Sequence, residues 1–130
     1  MKATSIDIAS LLEADPDMGL AVGVNMYIGK EPSTPSQCVT IFDTQGYSPQ
    51  LNLISQGYEY PSVQIRVRAV DFQTAWTIIE TIKTKLHGLA QQTINGTLYS
   101  VIYCASGPAL LDWDDNSRAR VICNFNIQRR

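Results

Sequence analysis

PSVQIRVRAVDFQTAWTIIETIKTKLHG, residues 61–88, changes period half-way along. Val63, Ile65, Val67 and Ala69 alternate with Gln64, Arg66 and Arg68. Period two is that of a strand with one apolar and one polar face. Asp71 follows, a residue type favoured as a helix N-cap. Phe72, Trp76, Ile79, Ile82 and Leu86 then recur at helical spacing. Lys83, Lys85 and His87 fall where cations suit the negative end of a helix dipole, and Gly88 offers a stop. A one-sided strand followed directly by a one-sided helix predicts that the helix covers the sheet.

The flanks extend this pattern. Upstream, a short helix is expected over residues 5 to about 14, capped by Thr4 with Asp7 as a box-like partner and stopped by Asp15-Pro16. Strands are expected over residues 24–28 and 38–42, joined by the loop GKEPSTPSQ. DTQGYSPQLNLISQGYEY, residues 43–60, reads as a small strand or as an arm projecting from the domain. Downstream, Asn95-Gly96 sits between β-rich runs, a strong hairpin signal. GPALLDWDDNS reads as a long loop or turn. In RARVICNFNIQ the apolar Ala119, Val121, Cys123, Phe125 and Ile127 alternate with mostly polar residues. The expectation is one α+β domain over residues 1–130. It is a two-layer sandwich with a mainly antiparallel sheet packed against a long helix, in the order α-β-β-β-α-β-β.

Composition excludes several function classes. The 130 residues are 45% hydrophobic and 17% charged with a net charge of −2, enough to bury a core. A general nucleic-acid binder would carry a strong basic excess. Cys38, Cys104 and Cys123 form no CxxC pair and no disulfide framework, and are expected to be reduced, mostly buried thiols in a cytoplasmic setting. Asp7 and Glu13 interrupt any leader-like apolar run, and no stretch suits a membrane span. No membrane partner is expected.

Candidate chemistry is sparse. A histidine-dependent site would have to use His87, which reads as a helix-end cap. Asp112-x-Asp114-x-Asn116 begins like a calcium loop. The sixth position is Ser117 rather than Gly, and the twelfth is Cys123 rather than Glu. Asp112, Asp114 and Asp115 therefore read as an acidic solvated loop. Neither GxGxxG nor a Walker pattern occurs. No catalytic residue, metal or cofactor is expected. Arg66 and Arg68 on one strand, with Arg118 and Arg120 on another, make a stripe. It reads as a solvated outer face or as a protein interface, where arginine makes bidentate pairs. The Asp112 loop of a neighbouring subunit is a natural partner for it.

The segment VNMYIGKEPSTPSQCVTIFDTQG, followed by YEYPSVQIRVRAVDFQTAWTIIETIKTKL, resembles small bacteriophage minor capsid proteins related to tail terminators. A strand ends in Gly29, and a loop holds Pro32 and Pro35. Cys38-Val39 opens a strand ending near Asp43 and Gly46. Tyr60-Pro61-Ser62-Val63 enters the strand with Arg66 and Arg68, and a helix follows. The resemblance covers residues 12 to 89 and leaves the C-terminal third without a matching motif.

The resemblance implies an α+β virion protein without catalysis, assembled in the bacterial host cytoplasm. Tail terminators form a ring, usually hexameric, at the head-proximal end of a long tail. The ring stops tube polymerisation, meets the neck proteins of the head and lets DNA pass. The implied partners are further copies of the chain, the tail tube protein, a head-completion or neck protein, and DNA that passes without specific binding. In such a ring Pro32 and Pro35 would stiffen a docking loop. Tyr47, Leu51, Leu53 and Ile54 would anchor an arm on a neighbour, or else belong to a packed hairpin. Asp112, Asp114 and Asp115 would suit a lumen, where negative charge repels phosphates. The alternatives are another neck or head-completion protein of similar fold, a small-molecule-binding α+β module and, least favoured by the lone His87, a small hydrolase.

Overall fold

The computed structural model describes residues 1–49 and 57–130. Its elements run α1 (Thr4–Glu13), β1 (Met26–Ile28), β2 (Cys38–Tyr47), β3 (Tyr60–Ala69), α2 (Phe72–Leu86), β4 (Leu89–Ile94), β5 (Thr97–Trp113) and β6 (Ala119–Arg129). The six strands form one curled sheet in the order β1-β2-β3-β6-β5-β4. β1 runs parallel to β2 and every other pairing is antiparallel, so the sheet is mixed.

The decisive stretch folds as its periods require. Val63, Ile65, Val67 and Ala69 of β3 are buried, and so are Ala119, Val121, Cys123, Phe125 and Ile127 of β6. Register pairs Val67 with Val121 and Ala69 with Ala119, so the two apolar sets share one face. Ala75, Ile79, Ile82 and Leu86 of α2 and Ile8 and Leu12 of α1 close over that face in one core cluster. Phe72 and Trp76 are half-buried at its margin, with ring centroids 5.7 Å apart. The Asp71 carboxylate accepts from the Thr74 backbone N–H at 3.0 Å, which caps α2. Asn95 and Gly96 both adopt positive φ, as a tight primed hairpin turn requires.

Several expectations need correction. The expected long helix is α2 with 15 residues, and α1 with 10 residues shares the covering of the sheet. Three strands follow α2 rather than two, because the Asn95-Gly96 hairpin and the last strand are separate elements. Residues 43–47, the first part of the stretch read as a small strand or an arm, continue β2 and pair with β3 as far as Tyr47–Tyr60.

GPALLDW is strand rather than loop, the last part of β5. Gly107 makes this possible: its φ is +95°, and a Cβ there would sit 2.9 Å from the Ile122 carbonyl oxygen. Pro108 is tolerated because the outer edge of β5 has no strand beside it there among the described residues.

Thr4 does not cap α1; the N-cap is Ala3, whose side chain makes no capping bond. A carboxylate from another element does the work. Asp43 of β2 accepts from the Ser5 backbone N–H at 3.0 Å and from the Ser5 hydroxyl at 2.6 Å. Asp7 is fully buried instead of pairing locally, and accepts from Asn95 Nδ2 at 2.7 Å and from the Tyr99 hydroxyl. Arg129 completes this cluster with an N–H donated to the Tyr99 oxygen at 3.0 Å.

Asp43 therefore ties α1 to the sheet. Asp43→Ala should lower the folding free energy by about 1–2 kcal/mol, the usual cost of a lost cap. A urea titration should show a lower midpoint with an unchanged slope.

Candidate functional site

The outer face of the sheet carries the alternate residues of β3 and β6. Register sets Arg68 directly opposite Arg120, with Arg66 two residues along. Like charges facing each other across strands destabilise a sheet unless a counter-charge intervenes. Glu31 supplies it from the loop between β1 and β2. Its Oε1 lies 3.0 Å from Arg68, and its Oε2 lies 3.1 Å from Arg66 and 3.6 Å from Arg120.

The loop is thereby laid flat on the sheet. Gly29, with φ +75°, turns the chain back, and its N–H donates to the Ile41 carbonyl at 2.8 Å. Arg68 is only 3% exposed and donates to the carbonyls of Pro32 and Pro35 at 2.6 Å and of Ser36 at 3.2 Å. Arg118 is buried and donates to the Ser33 carbonyl at 2.7 Å. A loop with two prolines lacks two backbone donors but keeps its acceptors. Guanidinium groups, donors only, are its natural complement.

The same arginines hold the β5–β6 turn. Arg120 grips Asp112 through two bonds of 2.6 Å, a bidentate pair. Arg118 Nε donates to Asp114 at 2.8 Å. The Arg120 guanidinium holds the Asp112 carboxyl below the usual carboxylate range. Burial pushes the Asp114 carboxyl up, but the Arg118 backbone N–H and guanidinium and the Asn116 N–H outweigh it and hold the carboxyl below the usual carboxylate range. Arg66 stacks over the Phe42 ring at 4.7 Å.

These contacts decide what the predicted residues can do. Arg66, Arg68, Arg118 and Arg120 face Glu31, Asp112 and Asp114 within the chain, so they are not an open basic stripe for phosphates. The carboxylates offered above to a neighbour's arginines are engaged by the chain's own. Asp112 lies in β5 and not in a loop, and of the three acids only Asp115 is exposed. Pro35 is exposed on top of the clamped loop and Pro32 is half-buried. Tyr47 is 70% exposed at the end of β2. Leu51, Leu53 and Ile54 lie outside the described residues. His87 Nδ1 accepts the Cys104 backbone N–H at 2.9 Å, which continues the β4–β5 ladder by one side-chain bond. Among the described residues no group of three or more His, Cys, Asp or Glu is arranged to hold a metal. No helix among them is long and apolar enough to cross a membrane.

Sequence reasoning missed Glu31, the hub of the site. Its signal was a single acid in an otherwise uncharged loop segment, EPSTPSQ, upstream of two strands with outward arginines.

A family model described as "Bacteriophage tail terminator protein" matches residues 6–129. The chain belongs to the bacteriophage tail terminator family. Solved structures agree in fold. A chain of a structure titled "Virion of native gene transfer agent (GTA) particle" is 14% identical, with a TM-score of 0.72 over 98% of this chain and 94% of that one. A second solved chain is 8% identical, with a TM-score of 0.59 over 98% of this chain and 91% of that one. No curated protein matches in sequence. The family match reaches through β5 and β6, where the sequence had shown no recognisable motif.

Two outcomes follow for the clamp of this tail terminator family member. Glu31→Ala leaves inward-facing guanidinium groups without their counter-charge. It should cost about 3–5 kcal/mol, the range for removing one partner of a buried ion pair, whereas a variant at exposed Lys30 should cost under about 0.5 kcal/mol. Denaturant midpoints compare them. The lowered carboxyl pKa values of Asp112 and Asp114 mean that their contribution is full at neutral pH and is lost as pH falls through those values. Side-chain carboxyl NMR titrations should place both midpoints below 3.8.

Proposed function

We propose that this chain is a virion structural protein that ends a long phage tail. Copies close into a ring, most simply a hexamer, at the head-proximal end of the tube. The ring stops tube polymerisation, presents a surface to head-completion or neck proteins, and leaves a lumen through which DNA passes without being bound. The protein works by shape, with no catalytic step and no cofactor, on a two-layer α+β scaffold.

The observation that carries this reading is the family match over residues 6–129, and the fold likeness to a chain of a gene transfer agent virion supports it. The site's physics agrees. A surface that must dock the same way in every copy benefits from being ordered beforehand, because less entropy is lost on binding. The Glu31 clamp orders the Pro32–Pro35 loop and the β5–β6 turn together. In the ring we assign Pro32, Pro35 and their exposed neighbours to a contact with the tube or the neck. Arg66, Arg68, Arg118 and Arg120 support that contact from beneath. Tyr47 and the residues beyond it, with Leu51, Leu53 and Ile54, form the arm toward an adjacent copy. Asp115 is the acid left to face a lumen.

Light scattering across a concentration series, with negative-stain images of the same samples, tests the ring. Closed rings of uniform mass are expected. Purified protein added to growing tail tubes should also shorten and narrow their length distribution. Rings that leave tube length unchanged would point to a neighbouring neck component instead. Monomers that also leave tube length unchanged would overturn the reading.

A further inference from the structure

β5 and β6 bring two cysteines together on the core side of the sheet. Cys104 pairs with Phe125, and Cys123 lies two residues before Phe125 on the same face of β6. Both are free thiols, and their sulfurs are 3.3 Å apart. β5 is irregular here, with register shifts on both sides of Ser106. Gly107 lies against Cys123 without a side chain of its own: a Cβ there would sit 3.2 Å from the Cys123 Cα. The Cys104 sulfur turns the same way, 3.7 Å from the carbonyl oxygens of Ser106 and Gly107. The Cys104 backbone is fixed from the other edge, where its N–H donates to His87 Nδ1 at 2.9 Å.

We propose that Cys104 and Cys123 are a modification site, a thiol pair that a peroxide oxidises to an intrachain disulfide joining β5 to β6. Unequal access orders the steps: Cys123 is 0% exposed, whereas Cys104 is half-buried. Burial and the hydrogen bond from Cys104 also push the Cys123 thiol well above its ordinary range, which leaves the first attack to Cys104. The Cys104 sulfur attacks the peroxide, and an S–O bond forms as the O–O bond breaks. Its proton leaves with the expelled hydroxide as water, and Cys104 becomes a sulfenic acid. The Cys123 sulfur then attacks the Cys104 sulfur. The S–S bond forms as the S–O bond breaks, and the departing hydroxide takes the Cys123 proton as a second water. Two thiols lose two electrons and two protons, and one hydrogen peroxide becomes two waters.

Closure needs little movement, because a bonded pair sits about 2.05 Å apart and each sulfur shifts by roughly 0.6 Å. The bond closes the segment from Cys104 to Cys123, which holds the rest of β5 and the β5–β6 turn. A cross-link across that segment restricts the unfolded chain and so favours the folded one. The same segment carries Asp112 and Asp114, which Arg120 and Arg118 hold. The disulfide fastens covalently what those ion pairs hold by charge. Cys38 takes no part, since it is paired with Arg68 on the opposite, outer face of the sheet. The chemistry needs only the two thiols, while its use rests on the virion reading above. Thiols stay reduced in a cytoplasm and oxidise outside it, so the bond forms once a particle has left its host.

Thiol counting on the native chain tests this. The protein is treated with dilute hydrogen peroxide, then denatured and alkylated with iodoacetamide. Untreated chain should take three labels, one on each free cysteine, and treated chain only the one on Cys38. Trypsin should then release residues 86–118 and 121–129 as a disulfide-linked pair that dithiothreitol separates. The bond should raise the melting temperature by about 5–10 °C, an increase that dithiothreitol reverses. Cys104→Ser should keep its circular dichroism spectrum and leave Cys123 open to alkylation after the same treatment. Three labels at a peroxide dose that oxidises free cysteine would overturn the site. So would a Cys104 sulfinic acid beside a free Cys123 thiol, or a disulfide between two copies. A bond that forms without raising the melting temperature would overturn the fastening of β5 to β6. Labels are counted on denatured chains, so the ring reading stands or falls separately, by particle mass.

Discussion

Glu31 holds three guanidinium groups that the sheet's register forces together. The antiparallel pairing of β3 with β6 puts Arg68 opposite Arg120, an arrangement unfavourable by itself. One carboxylate from a loop removes that repulsion, and the loop is fixed to the sheet in the process. Arg68 then bonds three loop carbonyls, Arg120 bonds Asp112 near the end of β5, and Arg118 bonds Asp114 of the β5–β6 turn. Two segments far apart in sequence become one rigid outer surface. Most of its ionic groups are engaged within the chain, by Glu31, Asp112 and Asp114.

The other end of the sheet has a second, smaller tie. Asp7 of α1 takes the Tyr99 hydroxyl and the Asn95 amide, and Arg129 bonds both Tyr99 and Glu59 at the root of the β2–β3 connection. Burial of the Tyr99 ring and its bond to Asp7 push its hydroxyl far above the ordinary tyrosine range, so it stays a donor at any physiological pH. The first helix, the Asn95-Gly96 hairpin and the last strand are thus joined close to Glu59. Both ends of the sheet are braced by buried polar groups, while its middle is held by apolar packing against α1 and α2.

This division explains how a chain with little chemistry can still carry a function. The braced ends are the Glu31 clamp and the Asp7–Tyr99–Arg129 cluster. His87 accepts a backbone bond, and Cys38 is buried with its thiol pushed up by burial.

The sequence by itself determined whatever depends on neighbours along the chain. The period-two pattern of β3 and β6, the helical pattern of α2, the Asp71 cap and the Asn95-Gly96 turn are all local and were legible. Tertiary structure alone decided what depends on residues brought together from a distance. Asp43 rather than Thr4 caps α1 because β2 delivers a carboxylate to the helix end. GPALLDW is strand because β6 lies beside it to pair with, although Gly and Pro signal a turn. The arginine stripe was visible as alternation, but its counter-ion was not. Glu31 is 35 residues from Arg66 and 37 from Arg68, and only the folded sheet sets them face to face. Local pattern specifies which face a side chain takes, whereas strand order and register specify which charge it meets there.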